Sequence, residues 1–409
     1  MAILLTGKYT YCADALPSKS EVQRRLFLSA SCDRQVFIPC PSVSEDIDAA
    51  VRCLAALGAD IEWKDGGFFC TPFENAKESA VIDCGESAAV LRFIIPFAFA
   101  AGVKKLEIIT HGRLSSRPLE PLIEEMNRHG ILCERSADML RFSGRMSGHD
   151  FSIDCSLTSQ FLSGILLSLA LMGGSVSVEG ECVSTPYIDL TLSVMREFGV
   201  EVKLKNGTYT VYKNKLTAPE AFYSEGDWST AAPFLTAGII GDHPVSIGKL
   251  HYPSAQADAA LIDILSRAGA GFRIEDGCVT ALPSELRAFE CSVKDCPDIA
   301  PLLVIAALSA DGTSRVKDVS RLRWKESNRV EETVKLAVLS GGKVYDDEDD
   351  IVIEGGKELT GGKEFFCDDH RIAMCAAVAA VLCREPITLT GEECVKKSCP
   401  GFFEMFAGQ

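Results

Sequence analysis

The chain lacks any apolar run long enough and bare enough to span a bilayer, because its buried stretches carry Gly, Pro or charge. Met1–Leu5 is too short for a signal-peptide h-region and has no basic start, so the expectation is a cytoplasmic protein. Its 17 cysteines include no Cys-x-x-Cys pair. Without a secretory signal they read as reduced thiols, neither a disulfide framework nor a metal site, and Cys367, Cys375 and Cys383 have the spacing of helix packing. Positive charge is also short. The net charge of -16 argues against nucleic acid as a partner. An anionic ligand must therefore be held by local clusters of Arg and Lys, because the overall field opposes it.

What is present is a repeat. With 409 residues the chain exceeds one ordinary core, so two domains are expected. One kind of helix is apolar nearly all round and must be buried: Arg24–Ser31, Ser87–Ala101, Ser159–Met172, Ser229–Ile240, Asp298–Ala310 and Arg371–Leu382. These starts lie roughly 60–75 residues apart. Each helix is followed by a short β-branched strand such as Val36–Pro39 or Ile387–Thr390. A second, amphipathic kind ends in Gly before another strand: Asp46–Leu57, Glu120–His129, Leu190–Phe198, Ala257–Ala268 and Glu331–Leu339. The sixth unit ends with Cys394–Phe406 and lacks its last strand, which Ala2–Thr10 is placed to supply. Three units per domain gives a discontinuous domain, 1–18 with 227–409, carrying both termini, and an inserted domain, 19–226. The ligand cleft would lie between them, with the crossing near Ser18 at its hinge.

Polar residues gather where these helices begin. The first cluster is Leu16-Pro17-Ser18-Lys19-Ser20 with Arg24, where backbone N–H groups already favour an anion. Others are Asp83–Ser87, Ser156–Gln160, Asp298, Asp368–Arg371, Arg113 and Arg117 before Pro118, Ser184 before Pro186, Lys325–Arg329, and Lys396-Lys397-Ser398. Ser, Thr and Asp at helix starts serve as caps, Lys325, Glu326 and Arg329 could form pairs on an exposed face, and Arg117 could be a surface charge. Capping does not explain the cations. Lys19, Arg24, Arg117, Lys325, Arg329, Arg371 and Lys397 stand where a helix dipole disfavours them. A site for multiply charged anions would compensate.

These blocks resemble the 3-phosphoshikimate 1-carboxyvinyltransferase (5-enolpyruvylshikimate-3-phosphate synthase) family over essentially the whole chain. The specific ones are Leu16–Ser20 with Arg24, Thr158-Ser159-Gln160-Phe161-Leu162, Ser184–Asp189, Lys325–Arg329, and Asp369–Met374. The resemblance implies an α/β fold of two domains, each three copies of a βαβαββ unit. It implies transfer of the enolpyruvyl group of phosphoenolpyruvate to the 5-hydroxyl of shikimate 3-phosphate, no cofactor or metal, no membrane partner, and a monomer. It places shikimate 3-phosphate on Lys19, Ser20, Arg24, Thr158, Ser159, Gln160, Ser184, Asp298 and Lys325. Phosphoenolpyruvate falls to Lys19, Ala88, Arg117, Gln160, Arg329, Arg371 and Lys397. Arg suits both ligands because a guanidinium pairs bidentately with carboxylate and phosphate. Asp298 is expected to act as base on the 5-hydroxyl and Glu326 in proton exchange at the methylene carbon, with Lys19 and Lys397 also in the catalytic set.

One departure stands out. The family's usual Ala/Ser-Gly-Thr/Ser run reads Ser87-Ala88-Ala89 here, with Ala88 where a Gly packs close to phosphoenolpyruvate. A methyl group narrows that space. The expectation is poor inhibition by glyphosate, a slightly longer phosphoenolpyruvate mimic. The alternatives are the sister enolpyruvyl transferase of UDP-N-acetylglucosamine and a weakened homologue that only binds anions. Ser20 after Lys19 and the absence of Cys from Glu107–Arg117 oppose the first; the intact Asp298, Glu326 and cations oppose the second.

Overall fold

The computed structural model describes residues 2–136, 139–356 and 358–408; Met1, Ala137, Asp138, Lys357 and Gln409 lie outside the described residues. The chain divides into two compact units, Pro17–Ser224 and Met1–Leu16 with Glu225–Gln409.

In Pro17–Ser224 the helices are α1 (Lys19–Ser29), α2 (Glu45–Leu57), α3 (Ala88–Ala100), α4 (Glu120–Arg128), α5 (Gln160–Met172) and α6 (Pro186–Glu197). Helices α1, α3 and α5 have no wet face, and nearly all their residues are buried. Phe27 of α1 meets Phe93 and Phe97 of α3 edge-on, with centroids 5.7 and 5.1 Å apart. Such pairs add about 0.5–1.5 kcal/mol beyond the apolar area they bury. Helix α5 lies directly on α3 because position 164 is Gly: a Cβ there would stand 2.4 Å from the Arg92 carbonyl oxygen. The sheets repeat one pattern. In Asp150–Asp154, Gly174–Glu179, Thr208–Val211 and Val202–Lys205, the first pair is parallel with Phe151 opposite Val176, and the rest are antiparallel. Ser79–Asp83, Lys105–Ile109, Met139–Gly144 and Ile131–Arg135 follow the same order. Strand alternation puts Ala80 and Ile82 inside and Val81 outside.

In the other unit the helices are α7 (Trp228–Ile240), α8 (Ala260–Arg267), α9 (Ala300–Ser309), α10 (Arg329–Leu339), α11 (His370–Val381) and α12 (Phe402–Ala407). Helices α7, α9 and α11 pack on one another as the buried set. Ala2–Leu5 pairs antiparallel with Ile387–Thr390, Ala2 opposite Thr390, so the chain start does complete the last sheet. Cys12–Asp14 runs parallel to Val245–Gly248.

Several boundaries differ from the pattern reading. Cys394–Phe406 is not one helix: a 3-10 helix, Glu392–Lys397, is separated from α12 by Pro400 and by Gly401, which has φ +76°. Helix α6 begins at Pro186, four residues earlier than its amphipathic pattern, because Pro suits the first helical turn. Asp298 sits in a 3-10 turn, Pro297–Ile299, ahead of α9. Of Cys367, Cys375 and Cys383, only Cys375 lies in α11. No helix among the described residues is long and apolar enough to cross a membrane.

Candidate active site

Helix starts leave N–H groups without intrahelical partners, and a side-chain cap normally takes one of them. Ser44 caps α2, Asp227 caps α7, Asn328 caps α10 and Asp369 caps α11. Ser18, Ser87 and Ser159 hold the same position on α1, α3 and α5, yet none makes a side-chain cap bond. The Ser18 hydroxyl is buried with no hydrogen-bond partner among the described residues. Capping therefore does not account for these three residues, and the N-termini of α1, α3 and α5 keep donors for an anion.

In Pro17–Ser224, α1 presents three polar side chains, Lys19, Gln23 and Arg24, with fixed partners. Lys19 Nζ donates to Asp46 Oδ2 at 2.7 Å. Gln23 Nε2 donates to the Asp46 carbonyl at 3.0 Å and reaches Ser87 Oγ at 3.5 Å, beside Ala88 at the head of α3. Arg24 is buried and donates to Thr191 Oγ1 at 2.8 Å, the Ser20 carbonyl at 2.9 Å and the Tyr187 carbonyl at 3.2 Å. Its planar head also lies over the Phe93 ring. Uncharged oxygens orient this guanidinium. Burial lowers its pKa to about 10, against the attraction of Tyr187 and Glu21, so it stays charged at neutral pH. The Tyr187 and Thr191 contacts join α1 to α6, which Ser184 precedes. Ser184 is buried with φ +55°, a left-handed backbone costly for a residue with a Cβ and commonest at functional sites.

Arg92 ties the remaining parts. Its Nη1 donates to Gln160 Oε1 at 2.7 Å and its Nη2 to the Pro118 carbonyl at 3.0 Å, next to Arg117. Thr158 Oγ1 accepts from the Gln160 N–H at 3.3 Å. Ser159 and Arg117 are both buried, which removes the surface-charge reading of Arg117.

In the other unit Asp298, Lys325, Glu326, Arg329 and Arg371 form one cluster. Arg329 is 1% exposed and spends each nitrogen on a carboxylate: Nε on Asp369 Oδ2 at 2.8 Å, Nη1 on Asp298 Oδ1 at 2.9 Å and Nη2 on Glu326 Oε2 at 2.8 Å. The reading of Lys325–Arg329 as pairs on an exposed helix face is overturned, because α10 begins only at Arg329 and that side chain points inward. Asp298 also lies 3.5 Å from both Lys325 Nζ and Arg371 Nη2. Burial would raise its pKa, but Lys325, Arg371 and Arg329 hold it far below the usual carboxylate range. Burial lowers the Lys325 pKa, against the pull of Asp298. Asp369 orders the whole group: Oδ1 caps α11 through the Arg371 N–H, and Oδ2 accepts from Ser327 Oγ as well as Arg329. Lys397 is buried at the end of the 3-10 helix Glu392–Lys397, which packs on α11. Among the described residues no group of three His, Cys, Asp or Glu is arranged to hold a metal ion.

Asp46, Gln23, Arg92 and Thr191 were not singled out from the sequence. Arg92 did leave a trace, a lone charge in a helix otherwise apolar all round.

The chain matches the EPSP synthase (3-phosphoshikimate 1-carboxyvinyltransferase) family over residues 14–406. It is similar to a 3-phosphoshikimate 1-carboxyvinyltransferase of Clostridioides difficile, 34% identical over 95% of this chain and 93% of the relative. A namesake from Clostridium botulinum is also 34% identical, with the same coverage. Among solved structures, EPSP synthase from Acinetobacter baumannii superposes with a TM-score of 0.79 at 23% identity, covering 99% of this chain and 97% of that one. The enolpyruvyl transferase NikO from Streptomyces tendae gives 0.77 at 16% identity, covering 100% and 96%. At these identities the two structures speak for the fold alone.

Proposed function

The chain belongs to the EPSP synthase family, and from that premise we infer which of its side chains carry the reaction. The reaction transfers the enolpyruvyl group of phosphoenolpyruvate to the 5-hydroxyl of shikimate 3-phosphate and releases inorganic phosphate. The observation that supports the assignment best is the Asp298 carboxylate held among Arg329, Lys325 and Arg371.

Shikimate 3-phosphate is assigned to Lys19, Ser20, Arg24, Thr158, Ser159, Gln160, Ser184 and Lys325. Phosphoenolpyruvate is assigned to Lys19, Arg117, Gln160, Arg329, Arg371 and Lys397, with Ala88 against it. Lys19, Arg117 and Gln160 belong to Pro17–Ser224, and Arg329, Arg371 and Lys397 to Glu225–Gln409. Each substrate carries a phosphate and a carboxylate, and fixed cations in a dry site stabilise charge that builds up on the departing phosphate.

In the free protein the cations around Asp298 leave it a poor base. Substrate anions that claim those cations raise its proton affinity, so binding itself prepares the carboxylate to accept the 5-hydroxyl proton. The hydroxyl oxygen bonds to C2 of phosphoenolpyruvate as C3 gains a proton, giving a tetrahedral intermediate. Loss of a C3 proton then expels phosphate and restores the double bond. Glu326, oriented by Arg329, exchanges the C3 proton, and Lys19 and Lys397 complete the catalytic set. The Ala88 methyl is proposed to exclude glyphosate. The proposed working form is a cytoplasmic monomer.

Phosphate release from the purified protein tests this. Release that needs both substrates and falls by orders of magnitude in Asp298→Asn is expected. No release, with shikimate 3-phosphate still bound, would select the anion-binding homologue instead.

A further inference from the structure

Asp258 lies in the 3-10 helix Ala257–Ala259 ahead of α8 and is 1% exposed. The Ser229 hydroxyl donates to its Oδ2, while its Oδ1 is buried without a hydrogen-bond partner among the described residues. The Ser229 carbonyl accepts from Arg371 Nη1 at 2.9 Å. Asp258 and Arg371 therefore grip the two ends of one residue in the first turn of α7. Arg371 Nε is likewise buried with no hydrogen-bond partner among the described residues.

The charges facing Asp258 come from three elements: Arg371 at the head of α11, Asp298 from the 3-10 turn before α9, and Asp227 at the N-cap of α7. The Cys296 thiol also faces it. On α8, Asp263 is taken by the Tyr252 hydroxyl at 2.6 Å, and Arg267 lies toward Cys291. Burial first, and then the Asp298 charge, push the Asp258 carboxyl up to about 7, against the attraction of Arg371.

The cations of this cluster are already balanced before any ligand arrives, since Asp298, Glu326 and Asp369 surround Arg329 and Arg371. A multiply charged anion that enters meets these carboxylates too. Loss of one carboxylate charge there removes repulsion in a low-dielectric site. Asp298 faces Lys325, Arg371 and Arg329, whereas Asp258 faces Arg371, so a proton taken up from solvent goes to Asp258 first.

We propose that Asp258 is a positioning residue for Arg371 that takes up a proton from solvent when phosphoenolpyruvate binds, so that the substrate's charge replaces its own beside the guanidinium. The inference rests on the assignment of Arg371 to phosphoenolpyruvate. Asp258 ionised holds Arg371 against Ser229 and opposes the anion; Asp258 protonated keeps the Ser229 hydrogen bond and drops the opposition.

The test is the KM for phosphoenolpyruvate at saturating shikimate 3-phosphate from pH 5.5 to 9, in the natural protein and in Asp258→Asn. The Asn amide oxygen keeps the Ser229 contact without the charge. Titration of the substrate's own phosphate cancels in the ratio of the two KM values. That ratio is expected to rise about tenfold between acid and alkaline pH, the equivalent of one unit of pKa coupling. A ratio flat with pH overturns the proposal, since a structural role alone would scale KM equally throughout. If Asp258→Asn does not fold, Ser229→Ala serves: losing the hydroxyl donor raises the proton affinity of Asp258, so the pH midpoint of the KM rise moves up. An unmoved midpoint overturns the proposal. Absence of turnover in the natural protein at every pH would instead sink the reaction assignment.

Discussion

Asp369→Asn isolates the carboxylate that anchors Arg329 and the head of α11. Asp369 is fully buried, and its two oxygens serve three donors: the Arg371 N–H at 2.9 Å, Ser327 Oγ at 3.0 Å and Arg329 Nε at 2.8 Å. Asn caps a helix about as well as Asp, so the α11 cap survives if the amide oxygen stays on the Arg371 N–H. The amide NH2 group then faces Arg329 Nε and Ser327 Oγ, and one donor confronts another. A charge-assisted hydrogen bond contributes about 1.5–3 kcal/mol, and removing one partner of a buried ion pair costs about 3–5 kcal/mol. Arg329 keeps Asp298 at 2.9 Å and Glu326 at 2.8 Å, which places the loss toward the lower figure. The expected destabilisation is about 2–3 kcal/mol.

Urea unfolding followed by tryptophan fluorescence reads this loss, because Trp228 is fully buried in the same unit. Ser327→Ala, which removes only a neutral donor, is expected to cost about 1 kcal/mol or less. A loss below about 1 kcal/mol in Asp369→Asn, equal to that of Ser327→Ala, would show that Arg329 does not depend on this carboxylate and would refute the reasoning.

Ala88→Gly removes the methyl at the head of α3 and is expected to lower the glyphosate inhibition constant by about tenfold or more, the discrimination one methylene-sized change supplies; unchanged inhibition would remove Ala88 from the specificity argument. Arg92→Met frees Gln160 and the Pro118 carbonyl together, and kcat/KM for phosphoenolpyruvate is expected to fall about 100-fold while unfolding shifts modestly, with partial recovery in Arg92→Lys. A normal kcat/KM in Arg92→Met would mean that Gln160 is held by other contacts. Asp258 predicts a stability slope: its folded pKa of about 7 lies above the ordinary 3.8, so the folded state binds the extra proton and stability falls as pH rises between those values. Asp258→Asn should therefore be more stable than the natural protein at pH 8, with the gap closing toward pH 4 at no more than about 1.4 kcal/mol per pH unit. Parallel stability curves would contradict the raised pKa.

Local patterning made the helices of both units legible. Helices such as α3 and α9, apolar nearly all round, could only be buried, and buried they are. Patterning failed where a single residue overrules composition, as at Gly401, which splits the expected Cys394–Phe406 helix. The cations were legible too, because Lys19, Arg24, Arg329 and Arg371 stand at helix starts in an acidic protein, where local physics disfavours them.

Their partners were not. Arg92 finds Gln160 at a separation of 68 residues, Arg329 finds Asp369 at 40, and Ser229 lies 29 from Asp258 and 142 from Arg371. A carboxylate in a sequence carries no mark of which cation it will face or how dry its surroundings will be. Residue type and spacing indicated most of the helices and strands, which helices must be buried, and that cations gather at helix starts. Tertiary packing decided which charges neutralise one another: Asp298 is held ionised by three cations, while Asp258, in the same cluster, is pushed toward neutral pH by burial and by Asp298 itself. The difference arises because proton affinity depends on charges and desolvation within a few ångströms, and only the folded chain brings those groups together.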